Sequence, residues 1–391
     1  MLLRAFGPVD QPLGERIEPA RALKLAQKLD VTTRITARQG SSRLVGEVGK
    51  DLARELVVAL LASVARERGL TRTIERIAVL AAEDDLPVVF LKFAALRLRG
   101  DLVEGSRGAT DVDVLVPEAR VREFQAVLEA AGFEDLGFRA SEHQMPLLKS
   151  PHAGGVELHC CVPALRDATS GALLTSEHLF DSGEVLPVSA LSADRDSAAW
   201  RTSFVPTLAW LTAHAIVHAF VQHGSAPHVY PLCRMVGDLI DLGQPTTDAA
   251  ERNAVERGSG GAMSRVELEA VLSLTGTLAR GDSLARVPPD SPAGLLLRHL
   301  VASTLDAQYR EALRLTSMFR RSDAPSTSQK PLLLRFAYAL APTRAQLGAI
   351  YGPPRGQAHL LALRLFRPVD LVYRLGKYGL SYAAVKLRGD R

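Results

Sequence analysis

Cysteine is scarce in this chain: three in 391 residues, at Cys160, Cys161 and Cys233. Two adjacent cysteines are badly placed to bridge each other, and an odd count builds no disulfide framework, so a stapled secreted scaffold is excluded. No CxxC spacing exists, which removes a zinc knuckle. A surplus of one charge sign is also missing. The 47 basic and 43 acidic side chains leave +4, too little for a histone-like polycation. The N-terminus, Met1 to Pro8, lacks the apolar run of a secretory signal. With the cysteine usage, this predicts an unexported, cytoplasmic chain. Thr202 to Cys233 contains no Asp, Glu, Lys or Arg, and residues 204–222 have about the length of a bilayer-crossing helix. Pro206, His214 and His218 inside that stretch predict a buried helix instead, with no membrane partner. No internal repeat is present.

What the chain does have is a globular composition, 47% apolar and 23% charged, long enough for two or three domains. Apolar residues at spacings of 3 and 4 predict helices over 50–68 and 71–84. The β-branched run 86–91 then reads as a buried strand, followed by a short helix over 93–99 and a Gly/Ser-rich loop over 100–110 containing Arg107. Asp111 to Val116 alternates and then turns apolar, as a central strand does. A helix over 118–131 stops at Gly132, and strands are expected around 144–148 and 155–162. Beyond that, helices are expected over 206–222, 231–242, 265–279, 292–304 and in pieces over 332–387, with breaks at 224–227, 258–262 and 322–329. The expected organisation is a helical cap over 1–85, an α/β (α+β) core over 86–200 whose small mixed sheet spans about 86–165, and a helical region over 201–391.

The chemistry concentrates on the strands. Asp111 and Asp113 are two apart, so their carboxylates leave one face about 7 Å apart at the backbone. Like charges that close call for a cation, and Mg²⁺ takes hard oxygen ligands while keeping positions for water and phosphate. Glu157 and His159 repeat the spacing on another strand and add a third carboxylate. Three such acids suit a two-metal phosphoryl or nucleotidyl transfer site. A lone DxD is a weak signal; the flanking buried strand ending in Lys92, the loop and the second acidic strand strengthen it.

Together, Leu91-Lys92-x-x-Ala95-Leu96, Arg107-x-x-x-Asp111-Val112-Asp113-Val114-Leu115-Val116, Leu128-x-x-x-Gly132-Phe133 and Val156-Glu157-Leu158-His159 resemble a largely uncharacterised bacterial nucleotidyltransferase family of the DNA polymerase β superfold. His214-x-x-x-His218, Arg234-x-x-x-Asp238-Leu239 and a basic helical C-terminus extend the likeness over about residues 50–390. The resemblance implies a polymerase-β-like core and transfer of a nucleoside monophosphate from an NTP to a hydroxyl acceptor of unknown identity, with two Mg²⁺ ions. It implies Asp111, Asp113 and Glu157 as metal carboxylates, with Glu157 also positioning or deprotonating the acceptor. The chain departs from the pattern at Phe93-Ala94, where the superfold usually has Gly-Ser or Gly-Thr and the family a glycine after its lysine. A phenylalanine there would crowd the triphosphate. The alternative expectation is therefore a lapsed enzyme that binds a nucleotide, RNA or a protein partner.

Other positions carry two readings each. Lys92 is a phosphate contact or a strand-end lysine reaching solvent. Arg107, in a flexible loop, is a bidentate phosphate ligand or simply solvated. His159 helps bind metal or orients substrate. His214 and His218, at i and i+4, are buried core histidines, pocket lining or a zinc pair without an evident third ligand. Arg234 and Asp238 read as an intrahelical ion pair, and Cys160 and Cys161 as small apolar groups. Residues 331–391 hold ten basic and two acidic side chains, so the mild overall charge conceals a basic C-terminal segment. That segment either tracks an anionic acceptor or packs on the acidic body. No DNA-binding motif is found.

Overall fold

Helices α1 (Thr32–Gln39), α2 (Ser41–Val48) and α3 (Lys50–Glu83) lead into the sheet. They belong to a computed structural model that describes residues 26–27, 31–136, 144–166, 173–192, 195, 197–222, 232–243, 249–259, 263–280, 282, 284–305 and 356–389. The breaks expected at 224–227 and 322–329, and the helical pieces over 332–355, lie outside the described residues. The two periodic stretches expected over 50–84 form one continuous helix of 34 residues. Gly69 falls in its middle without breaking it, because the loop before β5 presses against it: a Cβ there would sit 2.4 Å from the Ala153 Cβ. The glycine gives close approach rather than a bend.

The chain then forms β1 (Val88–Phe90), α4 (Lys92–Arg99), β2 (Asp111–Leu115), α5 (Val121–Ala130), β3 (Glu134–Asp135), β4 (Leu148–Lys149), β5 (Gly155–His159), β6 (Val162–Arg166) and β7 (Leu173–Leu174). α4 ends on Gly100 in a left-handed conformation, and α5 is followed by Gly132 at φ 91°, as helix C-termini commonly are. After α6 (Ser176–Asp181) come β8 (Val185–Pro187) and β9 (Ser203–Pro206).

Seven strands make one mixed sheet in the order β3-β4-β5-β2-β1-β9-β8. β2 runs parallel to β5 and antiparallel to β1, which is parallel to β9. The sheet therefore reaches residue 206, beyond the expected limit near 165. Pro206 ends a strand rather than starting a helix. A four-residue strand inside a charge-free apolar stretch has no period of its own to announce it.

Alternation along the two central strands sorts their side chains. Val112, Val114, Val156 and Leu158 join Leu70, Ile74 and Ile77 of α3 and Phe124 and Leu128 of α5 in the largest core. Their neighbours Asp111, Asp113, Glu157 and His159 face the other way. That second face is closed further along by Val89, Leu91, Leu115, Trp210 and Val217.

α7 (Leu208–Val217) packs Trp210 and Val217 on the sheet and Ala213 and Ile216 against a helical cluster, so it is buried all round. This accounts for its lack of charge without a membrane; no helix among the described residues is long and apolar enough to cross one. The helical cluster is completed by α8 (Leu232–Asp241), α9 (Ala249–Gly258), α10 (Arg265–Arg280) and α11 (Pro292–Leu305), and α12 (Gln357–Gly389) follows.

Candidate active site

Parallel pairing of β2 with β5 sets Asp113 directly opposite Glu157, Asp111 opposite Gly155 and Leu115 opposite His159. The side chains that the alternation pattern places on one face thus lie on adjacent strands. Side-chain atoms of Asp113, Glu157 and His159 all fall within 4.8 Å of one another and form a group able to hold a metal ion. Asp111 stands outside that tight group, at the mouth of the strand.

Lys92 projects into the same place from the start of α4. Its Nζ donates to Asp113 Oδ1 at 2.7 Å, and the Leu91 amide donates to the Asp113 carbonyl at 3.0 Å. Lys92 adopts φ 46°, a left-handed conformation costly for a residue with a Cβ. Such strain persists where the surroundings over-determine it; here the turn aims the ammonium at the carboxylates.

The electrostatics follow from burial and from this crowding. Burial pushes Asp111 upward, Asp113 and Glu157 add to the effect, and its carboxyl titrates at about 6 despite Lys92 and Arg107. Burial also acts to raise Asp113, but Lys92 and His159 override it and hold that carboxyl well below the usual range. His159 Nε2 lies 3.0 Å from Asp113 Oδ1 and 3.5 Å from Glu157 Oε2. Burial disfavours the imidazolium, yet these two carboxylates raise its pKa above the ordinary histidine value. Lys92 is likewise raised, its burial outweighed by Asp113. Three carboxylates share the site with one lysine and one histidine, and burial together with the neighbouring acids makes the Asp111 charge costly. An oxygen-rich, cation-deficient set of this kind fits a divalent ion such as Mg²⁺.

Of the two readings of Arg107, the solvated one does not hold. Arg107 is buried, and its Nε and Nη2 donate to Asp238 Oδ1 and Oδ2 at 2.6 and 3.0 Å. Asp238 is therefore tied, across 131 positions, to the loop that leads to Asp111, a long-range partner beyond the intrahelical one expected. Phe93 also differs from expectation. Its side chain is buried in the main core, and the Arg107 Cζ lies 5.9 Å from its ring centroid.

His214 is buried and titrates at about 3, chiefly because of burial and then because of Lys92. With His218, Lys92 and Asp238 it lines a cavity of about 20 Å³, room for one water. This matches the pocket-lining reading; the metal-holding group found among the described residues includes neither histidine. Cys161 is buried and Cys160 half-buried, as small apolar groups would be.

Sequence reasoning passed over Glu67. It lies buried on α3, and its Oε2 accepts the Gly105 amide at 2.7 Å, pinning the loop that leads to Asp111. A glutamate on the same stripe as the buried Leu70, Ile74 and Ile77 of an amphipathic helix is the signal that marks it.

The sequence profile of a family described as an uncharacterised nucleotidyltransferase matches residues 15–227, more than half of the chain. The match begins well before the first motif at Leu91 and stops short of α8, so it is placed differently from the 50–390 expected. No curated protein and no solved structure matches.

Proposed function

We propose, for a chain that belongs to this nucleotidyltransferase family, a Mg²⁺-dependent transfer of a nucleoside monophosphate from an NTP to a hydroxyl acceptor. The observation that carries it is the pairing of Asp113 with Glu157 across parallel strands, with the Lys92 ammonium 2.7 Å from Asp113. Asp113 and Glu157, with Asp111 at the mouth, would hold divalent ions. Bound there, the ions would supply charge neutralisation at the phosphates and polarisation of the attacking hydroxyl.

The chain's own groups do the rest. Glu157 accepts the proton of the acceptor hydroxyl. The acceptor oxygen forms its bond to the α-phosphorus as the bond from that phosphorus to the bridging oxygen breaks, and pyrophosphate leaves with the bonding pair. Lys92 shifts from Asp113 toward the β- and γ-phosphates as those charges arrive, a point charge suited to phosphate. His159 keeps Asp113 ionised and oriented. Arg107 would have to leave Asp238 to share the phosphate contact. The Phe93 ring is packed into the core, so its bulk does not lie over the start of α4, and the argument for a lapsed enzyme loses its main support.

The test is incubation with labelled NTPs, Mg²⁺ and a panel of hydroxyl acceptors. Transfer of the labelled monophosphate is expected, falling to background in the Asp111→Asn, Asp113→Asn double variant. Transfer that survives the double substitution removes this mechanism.

A further inference from the structure

Two buried arginine–aspartate pairs of the same design converge on α8. Arg34 of α1 grips Asp241 at 2.6 and 2.7 Å, and Arg107 grips Asp238 at 2.6 and 3.0 Å. Both aspartates belong to one helix, three residues apart, and all four side chains are at most 7% exposed. Their partners differ in what they control. Arg34 belongs to α1, which carries none of the site residues. Arg107 lies four residues before Asp111, in the loop that delivers that carboxylate to the sheet.

Several contacts hold the loop, among them the exposed pair of Arg68 with Glu104. The Gly105 amide donates to Glu67, the Arg107 fork spans to Asp238, and the Thr110 carbonyl accepts from the Gly155 amide at 2.9 Å. The Arg107 grip is the one that crosses from the sheet to the helical region. The Phe93 ring stands beside the same guanidinium and backs the arginine from the core. A two-point fork with an aromatic behind it has little rotational freedom.

We infer that Asp238 is a positioning residue of the nucleotidyl-transfer site: acting through Arg107, which it and Phe93 hold as a latch, it fixes the catalytic loop on the helical region and so sets Asp111 for the divalent ion. Arg107 in this arrangement is a tether and not a phosphate ligand. The inference rests on the metal-site reading proposed above.

The test is Mn²⁺ binding to the full chain, followed by electron paramagnetic resonance without nucleotide or acceptor. Arg107→Gln combined with Asp238→Asn removes the latch without changing net charge, so what remains is the loss of position. Removing supporting partners of metal ligands typically weakens affinity about 10- to 100-fold; acting through the loop, this pair should weaken Mn²⁺ binding by about tenfold. Asp238→Glu, which keeps a carboxylate for the fork, should recover most of it. The Arg34→Gln, Asp241→Asn double variant breaks the same kind of pair on the same helix. It should lower the melting temperature comparably and leave Mn²⁺ affinity unchanged.

Wild-type Mn²⁺ affinity in the latch variant, or an equal loss in the Arg34/Asp241 variant, overturns the inference. So does weakened NTP binding in Arg107→Gln that Asp238→Asn does not reproduce, which would make the arginine a phosphate ligand. Should the latch double variant fail to fold, Arg107→Lys keeps the charge and loses the fork, and a several-fold loss of Mn²⁺ affinity is still required. Asp113→Asn separates the two readings. If it leaves Mn²⁺ binding intact, the metal site itself is wrong; if it abolishes binding while the latch variants do not alter it, only the latch is wrong.

Discussion

Asp111 and Lys92 show how one side chain's environment fixes its chemistry. Asp111 titrates at about 6 where an ordinary aspartate titrates at 3.8, with burial the largest cause and the Asp113 and Glu157 charges next. The folded state therefore holds the Asp111 proton more tightly than the unfolded state does. Its contribution to stability is complete below the unfolded pKa and is lost as pH rises through about 6, by about 3 kcal/mol for a shift of this size. On the proposed metal site, a divalent ion bound at Asp111 competes with that proton, so Mg²⁺ should raise the melting temperature more at pH 7 than at pH 5. Asp111→Asn should flatten this dependence, and melts across that range with and without Mg²⁺ check it. An equal Mg²⁺ effect at both pH values would contradict the assignment. Lys92 adds a backbone test. Lys92→Ala and Lys92→Gly lose the same ammonium and differ only in the Cβ, which at φ 46° is unwelcome. The glycine variant should be the more stable in urea by about 1 kcal/mol; equal stabilities would show that the turn is unstrained.

At the scale of elements, the sheet builds the site by register. β2 and β5 were legible because each alternates polar with apolar residues, Asp111 and Asp113 in one and Glu157 and His159 in the other, and the period of two then puts those side chains on one face. That they pair in parallel, with Asp113 opposite Glu157, follows from topology that no local pattern contains. β8 and β9 were illegible for a different reason. β9 is four residues at the edge of a charge-free run that continues into α7, and the run's composition spoke only for burial. The periodic stretches 50–68 and 71–84 run on as one helix across Gly69, whose missing Cβ serves the contact with Ala153. The Arg107–Asp238 and Arg34–Asp241 pairs join positions 131 and 207 apart. Charge patterning along one helix sees only neighbours three and four residues away, so it offered Asp238 no partner beyond Arg234.

At the scale of the whole molecule, charge and core are laid out separately along the chain. Residues 331–391 carry ten basic and two acidic side chains, a net of +8, which leaves −4 on residues 1–330. Among the described residues, the apolar clusters of the sheet and of the helical region draw on nothing beyond Leu300. Within α12, Leu360 and Asp370 are buried, while Leu361, Leu365, Phe366, Val369, Val372 and Tyr373 are each more than half exposed. These described side chains of α12 remove little apolar surface from water, and the hydrophobic effect scales with the area removed. The chain truncated after residue 330 is therefore expected to unfold cooperatively within a few degrees of the full-length melting temperature. Its net charge would change sign, so it should leave a cation-exchange column at lower salt and bind a polyanion such as heparin more weakly. A truncated chain that no longer melts cooperatively would place the basic segment in the core after all. One that melts normally and still binds heparin as tightly would put the anion-binding surface on the acidic body, against the sign of its charge.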